Sequence, residues 1–189
     1  MMATYFIAIV KALNIIRERG VQMGNTYFFT GFPGFLSINL IKKLVADYEH
    51  IEKVYLLSLP SMVEKGERML EQLRNEVNLN TPRDFFEIVE GDITKEHLNI
   101  ETKINEKLKN EVTHLFHLAA IYDLAVPKNL AIDVNVNGTY HVNNWVKSLY
   151  QLKRYIYFST AYVAGTREGK ILETELEMNQ SFKNHYEKT

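Results

Sequence analysis

The sequence predicts an α/β domain, a parallel sheet with helices packed on both faces. Three observations carry that prediction. Short β-prone apolar runs and stretches of helical periodicity alternate five times from Thr26 onward, and parallel neighbours need crossover connections of the kind helices supply. The first strand-like run ends in a glycine turn that leads straight into a helix. A chain of 189 residues with 46% hydrophobic content is also long and apolar enough for one domain with a full core.

The elements follow in order. Thr26–Thr30 (TYFFT) is aromatic and β-prone, the composition of a buried strand. A helix is predicted from Phe35 to Tyr48, with Leu36, Leu40, Ile41 and Leu44 on one face. Lys53–Leu57 (KVYLL) reads as the second strand, closed by Pro60. Met62–Val77 is rich in Glu, Arg and Leu and reads as a helix whose charges form an exposed face with i,i+4 pairs. Phe85–Val89 (FFEIV) is the third strand and ends in Gly91-Asp92. A short polar helix over Glu101–Asn110 leads to the fourth strand, Thr113–Leu118 (THLFHL). Asp133–Tyr150 is helical, with Val136, Tyr140, Val142 and Val146 among its apolar positions. Arg154–Ser159 (RYIYFS) is the fifth strand, with Tyr155, Tyr157 and Phe158 as sheet core. Ahead of this alternation, residues 1–22 read as a leader helix or as sequence upstream of a natural start at Met23, and 23–189 as the folded domain.

Composition excludes several functions. Lys+Arg 22 against Asp+Glu 23 gives a formal charge of -1, so there is no bulk electrostatic case for nucleic acid or an anionic membrane. No stretch approaches the ~18–20 unbroken apolar residues of a membrane span. Zero cysteines exclude a disulfide scaffold, a thiolate zinc site and a cysteine nucleophile, and fit a reducing, cytoplasmic compartment. His114 and His117, three apart on a strand, point to opposite faces, so no metal is expected there. His117 is instead expected to pack at the strand end, near the loop that follows.

The chemistry begins at Thr30-Gly31-Phe32-Pro33-Gly34-Phe35-Leu36-Ser37. Glycine permits a tight strand-to-helix turn and lets a pyrophosphate approach the backbone. The helix N-terminus then offers unpaired N–H groups and partial positive charge to that phosphate. TGFPGFLS resembles the TGxxGFLG fingerprint of extended short-chain dehydrogenases/reductases, and further segments agree in order and spacing. Gly91-Asp92-Ile93 resembles that family's Asp-hydrophobic pair beside the adenine. His117-Leu118-Ala119-Ala120 resembles the loop that lines the dinucleotide, and Asn135–Thr139 (NVNGT) the NVxGT helix motif. Phe158–Val163 (FSTAYV) resembles the strand that carries a catalytic hydroxyl, and Asn184–Thr189 (NHYEKT) the approach to a YxxxK motif. Within that superfamily, HLAAIYDLAVP, FSTAYVAG and NHYEKT are most similar to the male-sterility type domain of fatty acyl-CoA reductases and thioester reductases.

The resemblance implies a Rossmann-type sheet of about five strands in the order 3-2-1-4-5, with the last strands missing. It implies NAD(P)H-dependent reduction of an acyl thioester or fatty acyl-CoA to aldehyde or alcohol, with NADP favoured over NAD. A tyrosine gives its proton to the carbonyl oxygen, because a phenol becomes a useful acid near neutral pH only when a cation stabilises its anion. Tyr186 is the implied acid, Thr160 the substrate-orienting hydroxyl, and Asn135 the asparagine that supports the proton relay. The implied dinucleotide contacts are Thr30, Gly31, Phe32, Gly34, Phe35, Leu36, Asp92, Ile93, Leu118, Ala119, Ala120 and Tyr186. A nucleotide-sugar epimerase, dehydratase or ketone reductase of the same superfamily, and a catalytically silent nucleotide-binding fragment, remain alternatives.

Three departures stand out. Ser37 replaces the third fingerprint glycine, which asks for slightly looser helix–strand packing. At Leu57–Pro60 there is neither the arginine that family members often set for a 2′-phosphate nor an acid for an NAD ribose. Lys65 or Arg68 on the next helix could reach a phosphate, but both read more simply as a solvated face. The family lysine is expected one helical turn after Tyr186, at position 190, whereas Lys188 lies on the wrong side of that turn. The resemblance therefore implies the N-terminal portion of a reductase, truncated before the substrate-binding part.

Overall fold

The computed structural model describes residues 24–47, 50–76, 82–175 and 178–189, so the leader reading of 1–22 lies outside the described residues. The strands are β1 (Asn25–Thr30), β2 (Ile51–Ser58), β3 (Phe86–Glu90), β4 (His114–His117) and β5 (Arg154–Tyr157). All pair in parallel, in the order β3-β2-β1-β4-β5. The crossovers hold α1 (Phe35–Asp47), α2 (Val63–Glu76) and α3 (Thr102–Glu111). The fourth crossover carries α4, which runs through Lys128–Ala131, a π-helical Ile132–Gly138 and Thr139–Val146. A single turn, α5 (His185–Lys188), closes the described chain. This is the Rossmann-type order that the motifs imply.

The central strand explains its own composition. Tyr27, Phe28 and Phe29 are all 0% exposed, because helices cover both faces and a parallel strand then reads as a continuous apolar run. On one face Phe29 stacks on Phe116 with ring centroids 4.8 Å apart, over Leu40, Ile41 and Leu44 of α1. On the other, Phe28 packs against Trp145, whose indole N–H donates to the buried Asn105 at 2.7 Å. β1 hands the chain to β2 on one side and pairs with β4 on the other. Ligands of such sheets bind in the crevice at this reversal, beyond the carboxyl ends of the strands.

Two segments differ from the sequence reading. The fourth helix begins at Lys128 rather than Asp133 and ends at Val146, before Tyr150. Val136 and Tyr140, expected on its apolar face, are exposed. The inner stripe runs instead through Ala131, Asn135, Gly138, Val142 and Val146. Asn and Gly carry no hydrophobic signal, so periodicity identified Val142 and Val146 but assigned Val136 and Tyr140 to the wrong face. The second difference is Tyr157, which is exposed rather than core. It ends the outermost strand, and its ring lies against His117 at a centroid distance of 5.3 Å.

Candidate functional site

A cleft of about 1520 Å³ opens at the carboxyl ends of β1 and β4 and runs from the glycine turn to Thr160 and Tyr186. Its floor is the fingerprint turn. Gly31 has φ +82°, a region that favours glycine, and a Cβ there would lie 2.8 Å from the Ala119 nitrogen. The Gly34 N–H donates back to the Gly31 carbonyl at 2.8 Å, which closes the turn. Residues 35–37 then form the first turn of α1, where a helix leaves its N–H groups without intrahelical partners. No acidic side chain stands in that turn, so an anion there meets only donors.

Ser37 is accommodated within the turn. It is 1% exposed, and its hydroxyl lies 3.0 and 2.8 Å from the carbonyl oxygens of Gly31 and Gly34, to which it donates. The third fingerprint position therefore ties down the turn by hydrogen bonding instead of by the absence of a side chain.

Among the expected dinucleotide contacts, Gly31, Phe32, Gly34, Phe35, Leu36, Asp92, Ile93, Leu118, Ala119, Ala120 and Tyr186 all line the cleft. Thr30 stands behind the wall, fully buried, and its hydroxyl oxygen accepts from the N–H groups of Leu118 and Ala119 at 3.1 Å each. Leu36, assigned to the core face of α1, faces the cleft. Asp92 is oriented by Thr94, whose N–H and hydroxyl both donate to its Oδ1 at 2.8 Å.

The opposite end gathers Thr160, Tyr186 and Asn135 along the same cleft. Asn135, 8% exposed, accepts from the Ile121 N–H at 2.9 Å and donates to the Ile121 carbonyl at 3.0 Å. Its amide also donates to the Thr189 hydroxyl at 3.1 Å, which joins α4 to the turn that carries Tyr186. That turn is held by a reciprocal cap: Asn184 accepts from the Glu187 N–H at 2.9 Å, and Glu187 accepts from the Lys183 N–H at 2.8 Å. The Thr160 oxygen accepts from the Tyr162 N–H at 3.2 Å, which leaves its hydroxyl proton free for the cleft. Lys188 is exposed and does not line the cleft.

Burial pushes the His117 imidazole down to about 4, and burial with Lys153 and Arg154 nearby does the same to His114. Each ring is hydrogen-bonded to threonine: His114 to Thr113 at 2.8 Å, and His117 to Thr30 at 2.8 Å. The sequence left Lys65 and Arg68 as a solvated face that could reach a phosphate. Lys65 lines the cleft beside Leu59 and Met62, whereas Arg68 is paired with Glu64 at 2.6 Å.

The family model described as male sterility protein matches residues 29–189. The chain belongs to this family. Curated relatives include fatty acyl-CoA reductase 1 of Arabidopsis thaliana, 28% identical over 84% of this chain and 36% of the relative. The alcohol-forming fatty acyl-CoA reductase of Simmondsia chinensis is 27% identical over 80% of this chain and 34% of the relative. The chain thus spans about a third of the length of these relatives. Among solved structures, the terminal R domain of the myxalamid biosynthetic pathway superimposes with a TM-score of 0.71 at 22% identity, over 89% of this chain and 43% of that one. A UDP-glucuronic acid 4-epimerase from Bacillus cereus, solved with NAD, superimposes at 0.59 with 20% identity, over 86% and 48%. These structural likenesses carry the fold. Among the described residues, no helix is long and apolar enough to cross a membrane.

Proposed function

We propose that this chain is the dinucleotide-binding part of an NADP-dependent reductase that converts an acyl thioester, such as a fatty acyl-CoA, to the aldehyde or alcohol. The observation that carries the reading is the single cleft that joins the glycine turn to Thr160 and Tyr186, in a chain of the male sterility family. The residues suit a dinucleotide. The turn and the first turn of α1 offer backbone donors to a pyrophosphate, and the largely apolar walls suit flat aromatic rings. Bound there, the cofactor supplies the hydride. Tyr186 gives its proton to the carbonyl oxygen, and Thr160 donates a hydrogen bond to that same oxygen. Asn135 holds the Ile121 backbone and the Thr189 hydroxyl, which keeps the two ends of the reacting region in register.

Two features support the finer assignments. Ser58, at the end of β2, is buried, and no carboxylate stands at Leu57–Pro60 for a 2′-hydroxyl. Lys65 is the charge placed to meet a 2′-phosphate from α2, which favours NADP. Phe35, Tyr122 and Leu130 are exposed yet line the cleft, an apolar mouth suited to an acyl chain.

The test is to incubate the full-length gene product with NADPH and long-chain acyl-CoA and to follow nicotinamide absorbance. The reading expects NADPH consumption that falls roughly 100-fold or more in Tyr186→Phe, the scale of positioned proton transfer. NADPH that binds but is not consumed with acyl-CoA of any chain length would overturn the substrate assignment.

A further inference from the structure

We propose that His117 is a positioning residue for the dinucleotide, one that ties the glycine turn to the loop after β4 and to α4. The proposal rests on the dinucleotide reading above. His117 is the last residue of β4 and is fully buried. Its Nδ1 lies 2.8 Å from the Thr30 hydroxyl, and its Nε2 lies 3.2 Å from the Thr139 hydroxyl. The tautomer follows from counting lone pairs. A hydroxyl oxygen has two acceptor sites and one proton. The Thr30 oxygen already accepts from Leu118 and Ala119, so its proton goes to Nδ1. Nδ1 is then bare, Nε2 carries the hydrogen, and Thr139 accepts it.

Each arm of this relay ends on a segment that lines the cleft. Thr30 immediately precedes Gly31, Leu118 and Ala119 form the facing wall, and Thr139 sits on α4 one turn beyond Asn135. The clearance between them is small: a Cβ on Gly31 would come within 2.8 Å of Ala119. The turn and the opposite wall are therefore near contact, and a shift of a few tenths of an ångström in either changes the slot a pyrophosphate enters. The groups around the ring are the two threonine hydroxyls and the Tyr157 ring. A charged imidazole would have to donate to both threonines, and the Thr30 oxygen has no acceptor site left. The relay works with the uncharged ring alone, and burial keeps it uncharged.

The experiment compares His117→Asn, His117→Gln and His117→Phe in the whole chain. NADPH affinity is measured by titration at a temperature well below each variant's Tm, and the imidazole of the unsubstituted chain is read by ¹⁵N NMR. The asparagine Oδ1 falls where Nδ1 sat and accepts the Thr30 proton, whereas glutamine reaches toward Thr139 and leaves Thr30 without its acceptor. The proposal expects His117→Asn to bind within about 3-fold of the unsubstituted chain, and His117→Gln and His117→Phe to bind about 10-fold more weakly or worse. It also expects the NMR signature of an Nε2–H tautomer. Tight binding by His117→Phe, with only a lowered Tm, would overturn the positioning role, as would an Nδ1–H tautomer. Failure of the unsubstituted, folded chain to bind NADPH would overturn the dinucleotide reading itself. The NMR arm holds even if a variant fails to fold.

Discussion

The glycine-turn end of the cleft and the tyrosine end are built in opposite ways. At the turn, Thr30, Ser37 and His117 are all at most 1% exposed, and their side chains tie three segments far apart in sequence into one hydrogen-bonded unit. At the tyrosine end the ties among the described residues are local: Asn184 accepts from the Glu187 N–H, and Thr160 from the Tyr162 N–H. Asn135 adds a longer reach, to the Thr189 hydroxyl. The lesson is that the glycine turn is fixed by the core of the sheet, where Thr30, Ser37 and His117 bond across segments. The chemical groups ride on local turns, which open at lower free-energy cost.

The substitution expected to break the tight end most severely is Gly31→Val. A β-branched residue at φ +82°, with its Cβ against Ala119, combines backbone strain with a clash. Together these cost about 3 kcal/mol or more, so NADPH affinity should fall roughly 100-fold or beyond detection, read by titration alongside Tm. Acid should loosen the same end. His114 and His117 have folded values near 4 against 6.5 when unfolded. Between those values the unfolded chain binds more protons, so their contribution is intact above pH 6.5 and is lost as pH falls toward 4. Thermal melts across that range should show Tm dropping with pH, and His117→Asn should reduce the slope.

Two smaller effects sharpen the contrast. Lys65→Met should weaken NADPH by about 10-fold while leaving NADH unchanged, because only the 2′-phosphate meets the lost charge. Equal losses for both nucleotides would show that Lys65 does not read that phosphate. Asn184→Ala removes the cap of the Tyr186 turn and should cost about 1 kcal/mol locally. Hydrogen exchange at the Glu187 N–H should accelerate, with a smaller loss of NADPH affinity than in Gly31→Val, since that turn lies outside the tight end.

Much of the fold was legible because its signals are local. The run TYFFT can be buried on both faces only as a central strand, and TGFPG permits the turn that Gly31 and Gly34 make. The order of the strands came from the motif register, since periodicity specifies elements and not their neighbours. The cleft residues were found for the same reason: the motifs sit at strand ends, where this topology converges. What escaped was non-local. Asn135 and Gly138 on the inner stripe of α4 have no hydrophobic signature, so Val136 and Tyr140 were given the wrong face. Ser37 read as a defect because its acceptors, two backbone carbonyls, are invisible in sequence. Lys65 looked like one charge among many until the cleft showed which face it borders.

The central claim is that the residues described here form a cleft built for a nicotinamide dinucleotide bearing a 2′-phosphate. Titrating the folded chain with NADPH and with NADH tests it most directly. The account predicts saturable binding at one site, tighter for NADPH, and abolished in Gly31→Val. A chain that melts cooperatively yet shows no saturable binding of either nucleotide would contradict it.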